Sequence, residues 1–163
     1  MNDYKKSYAK ATQQVLERAD ALDRATRTEY YTEYKLRDIA YVLRNLYSDH
    51  LFRDKFVGNV QFQGFTPWPK GFCALSSICV YELYGGSDVW EPYAIKMGTW
   101  EYAPVVFLRH RLTGEAFDAT GDQFAPLVVP YHLGTPINRK IKDMRTPNKA
   151  EFIKRVKQEL DRL

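Results

Sequence analysis

The sequence predicts an α+β protein in which helices come first, a small antiparallel sheet follows, and a helix ends the chain. Apolar residues recur every three or four positions over 1–57 and again over 148–163, which is the pattern of a helix. Runs rich in β-branched and aromatic residues lie between these parts, over 93–97 and 104–112. Because strands do not alternate with helices, the pattern argues against a doubly wound parallel sheet.

The first part of the chain, 1–57, is predicted to be helical. One helix is expected over 3–24 and a second over 28–47, each with an apolar stripe. Ser48 and Asp49 are residue types that cap helices, so a short third helix is expected after them. This part and the rest, 58–163, are expected to form one compact domain, because 163 residues are enough for a single core.

The second part of the chain is predicted to hold a loop, a central helix, a hairpin and a closing helix. Glycine and proline exclude a long helix before Pro69, so this stretch is predicted to be loop with one short strand over 60–62. The central helix is expected to begin near Gly71 and to end at Gly85-Gly86. The remaining elements are strands over 93–97, 104–112 and 115–120, with a turn at Thr113-Gly114, and a helix over 148–163.

Composition excludes several classes of protein. Hydrophobic residues make up 45% of the chain and charged residues 27%, which excludes a mainly disordered protein. No apolar run approaches the ~20 residues of a membrane-spanning helix, and no secretory signal is found, so no membrane partner is expected. Cys73 and Cys79 lie six positions apart on one expected helix and face apart, which predicts free thiols in the cytoplasm.

Charge is unevenly distributed along the chain. The net charge is +3 over 1–70, −4 over 71–135 and +5 over 136–163. The basic excess near the C-terminus is compatible with nucleic-acid binding and, more simply, with solvated helix faces. Its first members are Arg139, Lys140, Lys142 and Arg145.

Cys73 is the strongest candidate for a chemical role. It stands at the start of the central helix, where the helix dipole and unpaired N–H groups stabilise a thiolate and lower its pKa. His110 on a strand and Asp118 on its hairpin partner supply the base and the orienting carboxylate that a cysteine nucleophile needs. The expected arrangement resembles that of papain-like enzymes. The competing interpretation of a lone cysteine is a small buried apolar residue.

Two segments of the chain carry a family resemblance. The first is 71–77, GFCALSS, closed by Tyr84-Gly85-Gly86, and the second is 118–124, DATGDQF. They resemble the G-x-C-[AG]-[LV]-[ST]-[AS] … GG and D-x-T-x-[DE]-Q-F segments of the small bacterial YunG-like family. The resemblance covers about 68–125, a third of the chain. It implies a reduced papain-like or transglutaminase-like fold, with Cys73 as nucleophile and Asp118 orienting a histidine.

The chain departs from that family at the histidine. In the family the histidine begins the strand eleven or twelve residues before the aspartate, and those positions here hold Phe107 and Val106. His110, eight residues before Asp118, is the nearest substitute. The hairpin loop decides whether the two side chains meet. A two-residue loop pairs His110 with Phe117, whereas a three-residue loop pairs it with Asp118.

Three functions follow as alternatives. The first is a cysteine-dependent hydrolase or acyltransferase acting on an amide or thioester bond through Cys73, His110 and Asp118. The second is a non-catalytic papain-like relative that binds a partner protein, and the third is nucleic-acid binding through the basic ends. Aromatic residues, 15% of the chain, predict either a substrate groove beside Cys73 or core packing. No metal-ligand spacing is present, so neither a metal nor another cofactor is predicted. The candidate substrate-binding residues are Trp68, Trp100 and Gln123.

Overall fold

A computed structural model describes residues 3–57, 66–97, 104–137, 141, 146 and 148–163. Within these ranges the chain forms six α-helices, one short 3₁₀-helix and four strands, which confirms the predicted α+β class. None of the helices described is both long and apolar enough to cross a membrane. The elements are α1 Asp3–Thr26, α2 Leu36–Tyr47, α3 His50–Val57, α4 Cys73–Leu83, α5 Gly86–Val89, β1 Trp90–Ile95, β2 Val105–His110, β3 Ala116–Phe117, the 3₁₀-helix Tyr131–Leu133, β4 Thr135–Pro136 and α6 Lys149–Asp161.

The second helix begins at Leu36, later than the predicted start at Thr28. Side chains of the loop before it bond to each other: Arg27 Nη2 donates to Thr32 Oγ1 at 3.1 Å. The Asp23 carboxylate of α1 accepts the N–H of Leu36 at 3.2 Å and thereby serves one of the unpaired donors of the first turn. The start of α2 is therefore set by a contact with α1, which the periodicity of α2 alone does not reveal.

The central helix α4 ends at the two glycines, as predicted. Gly85 has φ +86°, a left-handed conformation that glycine adopts at low cost. A Cβ at this position would lie 2.2 Å from Cγ2 of Val89. The one-turn helix α5 follows and leads directly into β1, which begins at Trp90 and not at the predicted Tyr93.

The described strands form one antiparallel sheet in the order β3-β2-β1-β4. Two apolar clusters cover its faces. The larger cluster packs α1, α2, α4 and α6 on the face that carries Val106 and Leu108. The smaller cluster covers Val105 and Phe107 on the opposite face with side chains of 124–131. The two faces predicted from alternation along β2 are confirmed.

The hairpin between β2 and β3 has a different register from either predicted one. The N–H of His110 donates to the carbonyl of Glu115 at 2.8 Å, so these residues pair across the loop 111–114. Both predicted pairings, of His110 with Phe117 and with Asp118, are wrong. The loop is longer because its own side chains satisfy its backbone: Thr113 Oγ1 accepts the N–H of Glu115 at 3.2 Å.

A buried ion pair fixes the segment 118–124 against the N-terminal helices. Arg44 of α2 has no exposed surface, and its guanidinium donates to both carboxylate oxygens of Asp122, at 2.6 and 3.0 Å. The same side chain donates to the carbonyl of Ala119 at 3.0 Å and to Thr12 Oγ1 at 2.9 Å. Helices α1 and α2 therefore determine where this segment lies.

Candidate functional site

Cys73 is the first residue of α4 and lies where the β2–β3 ladder ends. In an antiparallel ladder every second pair of opposite residues is hydrogen-bonded. Leu108 and Phe117 form such a pair, so the next one would join Val106 to Ala119. Because β3 ends at Phe117, the backbone of Val106 bonds to side chains of α4 instead. Ser77 Oγ donates to its carbonyl at 3.0 Å, and the Cys73 thiol hydrogen-bonds with its backbone.

Three polar side chains surround the Cys73 thiol. Gln123 is buried and hydrogen-bonds with the thiol, and Asp118 lies within electrostatic reach of it. The sequence predicted both as site residues. It did not predict Lys70, which also interacts electrostatically with the thiol and holds its Nζ 4.0 Å from the centroid of the Phe124 ring. Lys70 precedes the helix by one turn, and nothing in its local sequence distinguishes it from a solvated lysine.

The pKa of the Cys73 thiol is raised, first because the thiol is buried and then because the Asp118 carboxylate lies nearby. Hydrogen bonds with the backbone of Val106 and Ala74 and with Gln123 favour the thiolate but do not offset burial. The sequence-based expectation of a lowered pKa is therefore wrong. Desolvation at this helix start outweighs the hydrogen bonds that favour the thiolate.

His110 does not join this cluster. It lies four residues beyond Val106 on β2, which is about 13 Å at ~3.3 Å per residue. The other two histidines, His50 and His132, are exposed at the surface. The structure therefore brings Cys73 and Asp118 together and leaves the predicted base apart from both.

The ring of His110 has structural partners of its own. Its Nε2 and the hydroxyl of Thr26 are 2.7 Å apart, and its Nδ1 accepts the backbone N–H of Thr113 at 3.3 Å. The ring is fully buried and packs edge-on against Trp90. Burial lowers the pKa of His110, while the carboxylate of Glu115 opposes this. A neutral histidine thus joins the end of α1 to the hairpin.

Asp118 bonds to its own segment and not to a histidine. Oδ1 accepts the backbone N–H of Thr120 at 2.9 Å and its hydroxyl at 2.6 Å, which is an Asx turn. Oδ2 accepts the hydroxyl of Tyr131 at 2.8 Å. Burial raises the pKa of Asp118 even though all three bonds favour the carboxylate. Sequence reasoning missed Tyr131 because no spacing rule joins it to Asp118.

A cleft of about 1110 Å³ opens beside Asp118, between α1 and residues 115–131. Asp118 and Tyr131 line it, and small and polar side chains of α1 form the opposite wall. Arg18 of α1 reaches across to Glu115 at 3.4 Å, with both side chains about half exposed. An exposed pair of this kind contributes ~0–1 kcal/mol, so it does not hold the cleft closed.

Trp68 is partly buried and packs against the larger apolar cluster. Its ring contacts Tyr4 and Tyr8 of α1, with centroids 4.9 and 4.8 Å apart, and it does not line the cleft. The core-packing alternative therefore describes its position. Several predicted features lie outside the described residues: the strand over 60–62, Trp100, Arg139, Lys140, Lys142 and Arg145.

Comparisons with models of protein families, with curated proteins and with solved structures gave no match to this chain. The α+β fold is shared by proteins of many functions and does not select among them. The function is therefore argued from the residues around Cys73 and from the adjacent cleft.

Proposed function

We propose that the protein is a non-catalytic relative of papain-like cysteine enzymes and acts by binding a partner in the cleft beside Asp118. The observation that carries the proposal is Phe107, an apolar residue of the cluster against which Cys73 packs, at one of the two positions where the resembled family has its histidine. A general base must lie about 2.6–3.2 Å from the proton it takes, or reach it through one water. Phenylalanine has no such group, and His110 is about 10 Å further along the strand, on its other face.

The electrostatics around the thiol support the same conclusion. Cysteine nucleophiles react as thiolates, and enzymes lower the thiol pKa to obtain them. Here burial and the Asp118 carboxylate both raise the pKa of Cys73. A partner-binding role does not require a thiolate, so it agrees with this environment. The two free cysteines support a cytoplasmic location.

The reactivity of the thiol tests the proposal directly. We expect iodoacetamide to label Cys73 in the folded protein more slowly than in the same protein unfolded in urea, at neutral pH. Cys79 is fully buried and its pKa is also raised, so we expect it to label more slowly still. Mass spectrometry of the two peptides measures both rates. Labelling of Cys73 that is faster in the folded state than in the unfolded state would overturn the proposal.

A gain-of-function variant tests the relation to papain-like enzymes. Phe107→His places an imidazole on the face of β2 against which Cys73 packs, and we expect Cys73 to be alkylated faster than in the unaltered protein. Leu108→His is the matched control, because Leu108 is the next residue of the strand and lies on its opposite face. Circular dichroism checks that both variants are folded. Equal alkylation rates for the two histidine variants would contradict the relation.

The second candidate function is a cysteine-dependent hydrolase or acyltransferase acting on an amide or thioester bond. One observation favours it: Cys73 begins α4 and hydrogen-bonds with Gln123, so a thiol and an amide lie together at a helix N-terminus. In that case the base is a group other than His110. Rapid alkylation of Cys73 in the folded state is the result that would favour this candidate over the first.

A further inference from the structure

The edge of the sheet opens into the cleft. Among the described strands, β3 lies at one edge of the sheet, and its residues Ala116 and Phe117 line the cleft together with their neighbours Glu115 and Asp118. An outer strand presents unpaired N–H and C=O groups, which is how extended peptides are recognised in many binding proteins. This edge is therefore the part of the cleft with the most definite hydrogen-bonding requirement.

The direction of the backbone groups follows from the hairpin register. His110 and Glu115 form a hydrogen-bonded pair, so the next such pair is Leu108 with Phe117. The backbone N–H and C=O of Ala116, which lies between Glu115 and Phe117, therefore point away from β2. Among the residues described, neither the N–H nor the C=O of Ala116 has a hydrogen-bond partner. Ala116 thus presents one donor and one acceptor to the cleft.

The walls of the cleft select a thin ligand. Residues of helix α1 form the wall opposite the strand edge, so they obstruct the edge of a second folded sheet more than a single extended chain, which is thinner. The volume of about 1110 Å³ exceeds the ~300–1,000 Å³ of most small-molecule pockets. Leu127 and Val128 line the cleft with 66% and 85% of their surface exposed, and they offer apolar contact to alternate side chains of such a chain.

We infer that the cleft binds an extended peptide segment of a partner protein, which adds to β3 as a further antiparallel or parallel strand. The segment carries apolar side chains at alternate positions, facing Leu127 and Val128. This inference rests on the proposed binding function and specifies its ligand class. Ala116 exchanges backbone hydrogen bonds with the segment, and α1 covers its outer side.

The inference is tested with a displayed library of random twelve-residue peptides, selected on the full chain. The selected peptide is synthesised and its affinity measured by fluorescence polarisation. We expect Ala116→Pro to weaken binding roughly tenfold, since it removes the outward donor and leaves the bonds to β2 intact. Ala116→Ser keeps the N–H and is the matched control, expected to bind like the unaltered protein. Circular dichroism and urea unfolding verify that both variants are folded.

Backbone methylation of the peptide supplies a readout specific to strand addition. We expect N-methyl groups to weaken binding at every second position and to have little effect in between, because only alternate N–H groups face β3. Losses that do not alternate, equal binding by Ala116→Pro, or no peptide enriched on the unaltered protein would each overturn the inference. Formation of a dimer through β3, detected by light scattering, would also overturn it. The alkylation of Cys73 is measured separately, so failure here is distinguishable from failure of the proposed function.

Discussion

Removal of Asp122 is expected to destabilise the protein far more than removal of an equally close ion pair at the surface. Arg44 Nη1 lies 2.6 Å from Asp122 Oδ1, with side-chain exposures of 0% and 16%. Lys55 Nζ lies 2.6 Å from Glu151 Oε1, with exposures of 55% and 52%. Because the shortest separations are equal, Asp122→Ala and Glu151→Ala compare a buried pair with an exposed one.

The expected magnitude follows from the partners that Arg44 keeps. Removing one member of a buried pair costs ~3–5 kcal/mol, because the other charge is left without compensation. In Asp122→Ala the guanidinium loses two charged acceptors but keeps the carbonyl of Ala119 and the hydroxyl of Thr12. We therefore expect a loss of about 3 kcal/mol, at the low end of that range. An exposed pair contributes ~0–1 kcal/mol, so Glu151→Ala is expected to cost less than about 1 kcal/mol.

Urea unfolding followed by tryptophan fluorescence measures both losses. The slope of the free energy of unfolding against urea concentration should be the same in the unaltered protein and in the two alanine variants. Equal slopes show that the denatured states are comparable. A loss in Asp122→Ala no greater than that in Glu151→Ala would refute the reasoning. It would mean that water reaches Arg44 in the folded protein.

Three further predictions concern the site and the helix end. Asp118→Asn is expected to speed the alkylation of Cys73, because the carboxylate raises the pKa of the thiol. If Asp118 oriented a catalytic histidine, the same substitution would slow the alkylation instead. His110→Gln is expected to make the free energy of unfolding depend less on pH in the acid range. The pKa of His110 is lowered from 6.5 in the folded protein. Its contribution to stability is therefore present above pH 6.5 and is lost as the pH falls through the lowered value. Urea unfolding at pH values on either side of 6.5 measures this. Equal slopes of the free energy of unfolding against pH in His110→Gln and in the unaltered protein would contradict it. Gly85→Ala is expected to cost roughly 2 kcal/mol, more than Gly86→Ala, since both have positive φ but only the first Cβ meets a side chain within 3 Å. Equal melting temperatures for the two alanine variants would contradict this.

The parts of the fold that were predicted correctly are those set by burial periodicity. Alternation along β2 identified the face with Val106 and Leu108, and the glycines after α4 marked its end. The start of α2 was missed because Asp23 of another helix sets it. The hairpin register was missed because Thr113 bonds within the loop, and alternation carries no information on such bonds.

The candidate site was predicted in its residue types but not in its geometry. Cys73, Asp118 and Gln123 do lie together, as their two segments indicated. The pKa of Cys73 depends on burial, which arises only in the packed structure. Arg44 had a detectable signal: it lies four residues after Ala40 and therefore falls on the apolar stripe of α2, where a charge requires a buried partner.

The pairing of Arg44 with Asp122 also constrains the order in which the chain acquires its structure. The two residues are 78 positions apart, and the arginine loses its water only when the carboxylate arrives. At ~5–20 residues per second of synthesis, this interval is about 4–16 s. During that time α1 and α2 have been made but their charged side chain is still hydrated. The N-terminal helices therefore reach their final packing only after the segment 118–124 has emerged.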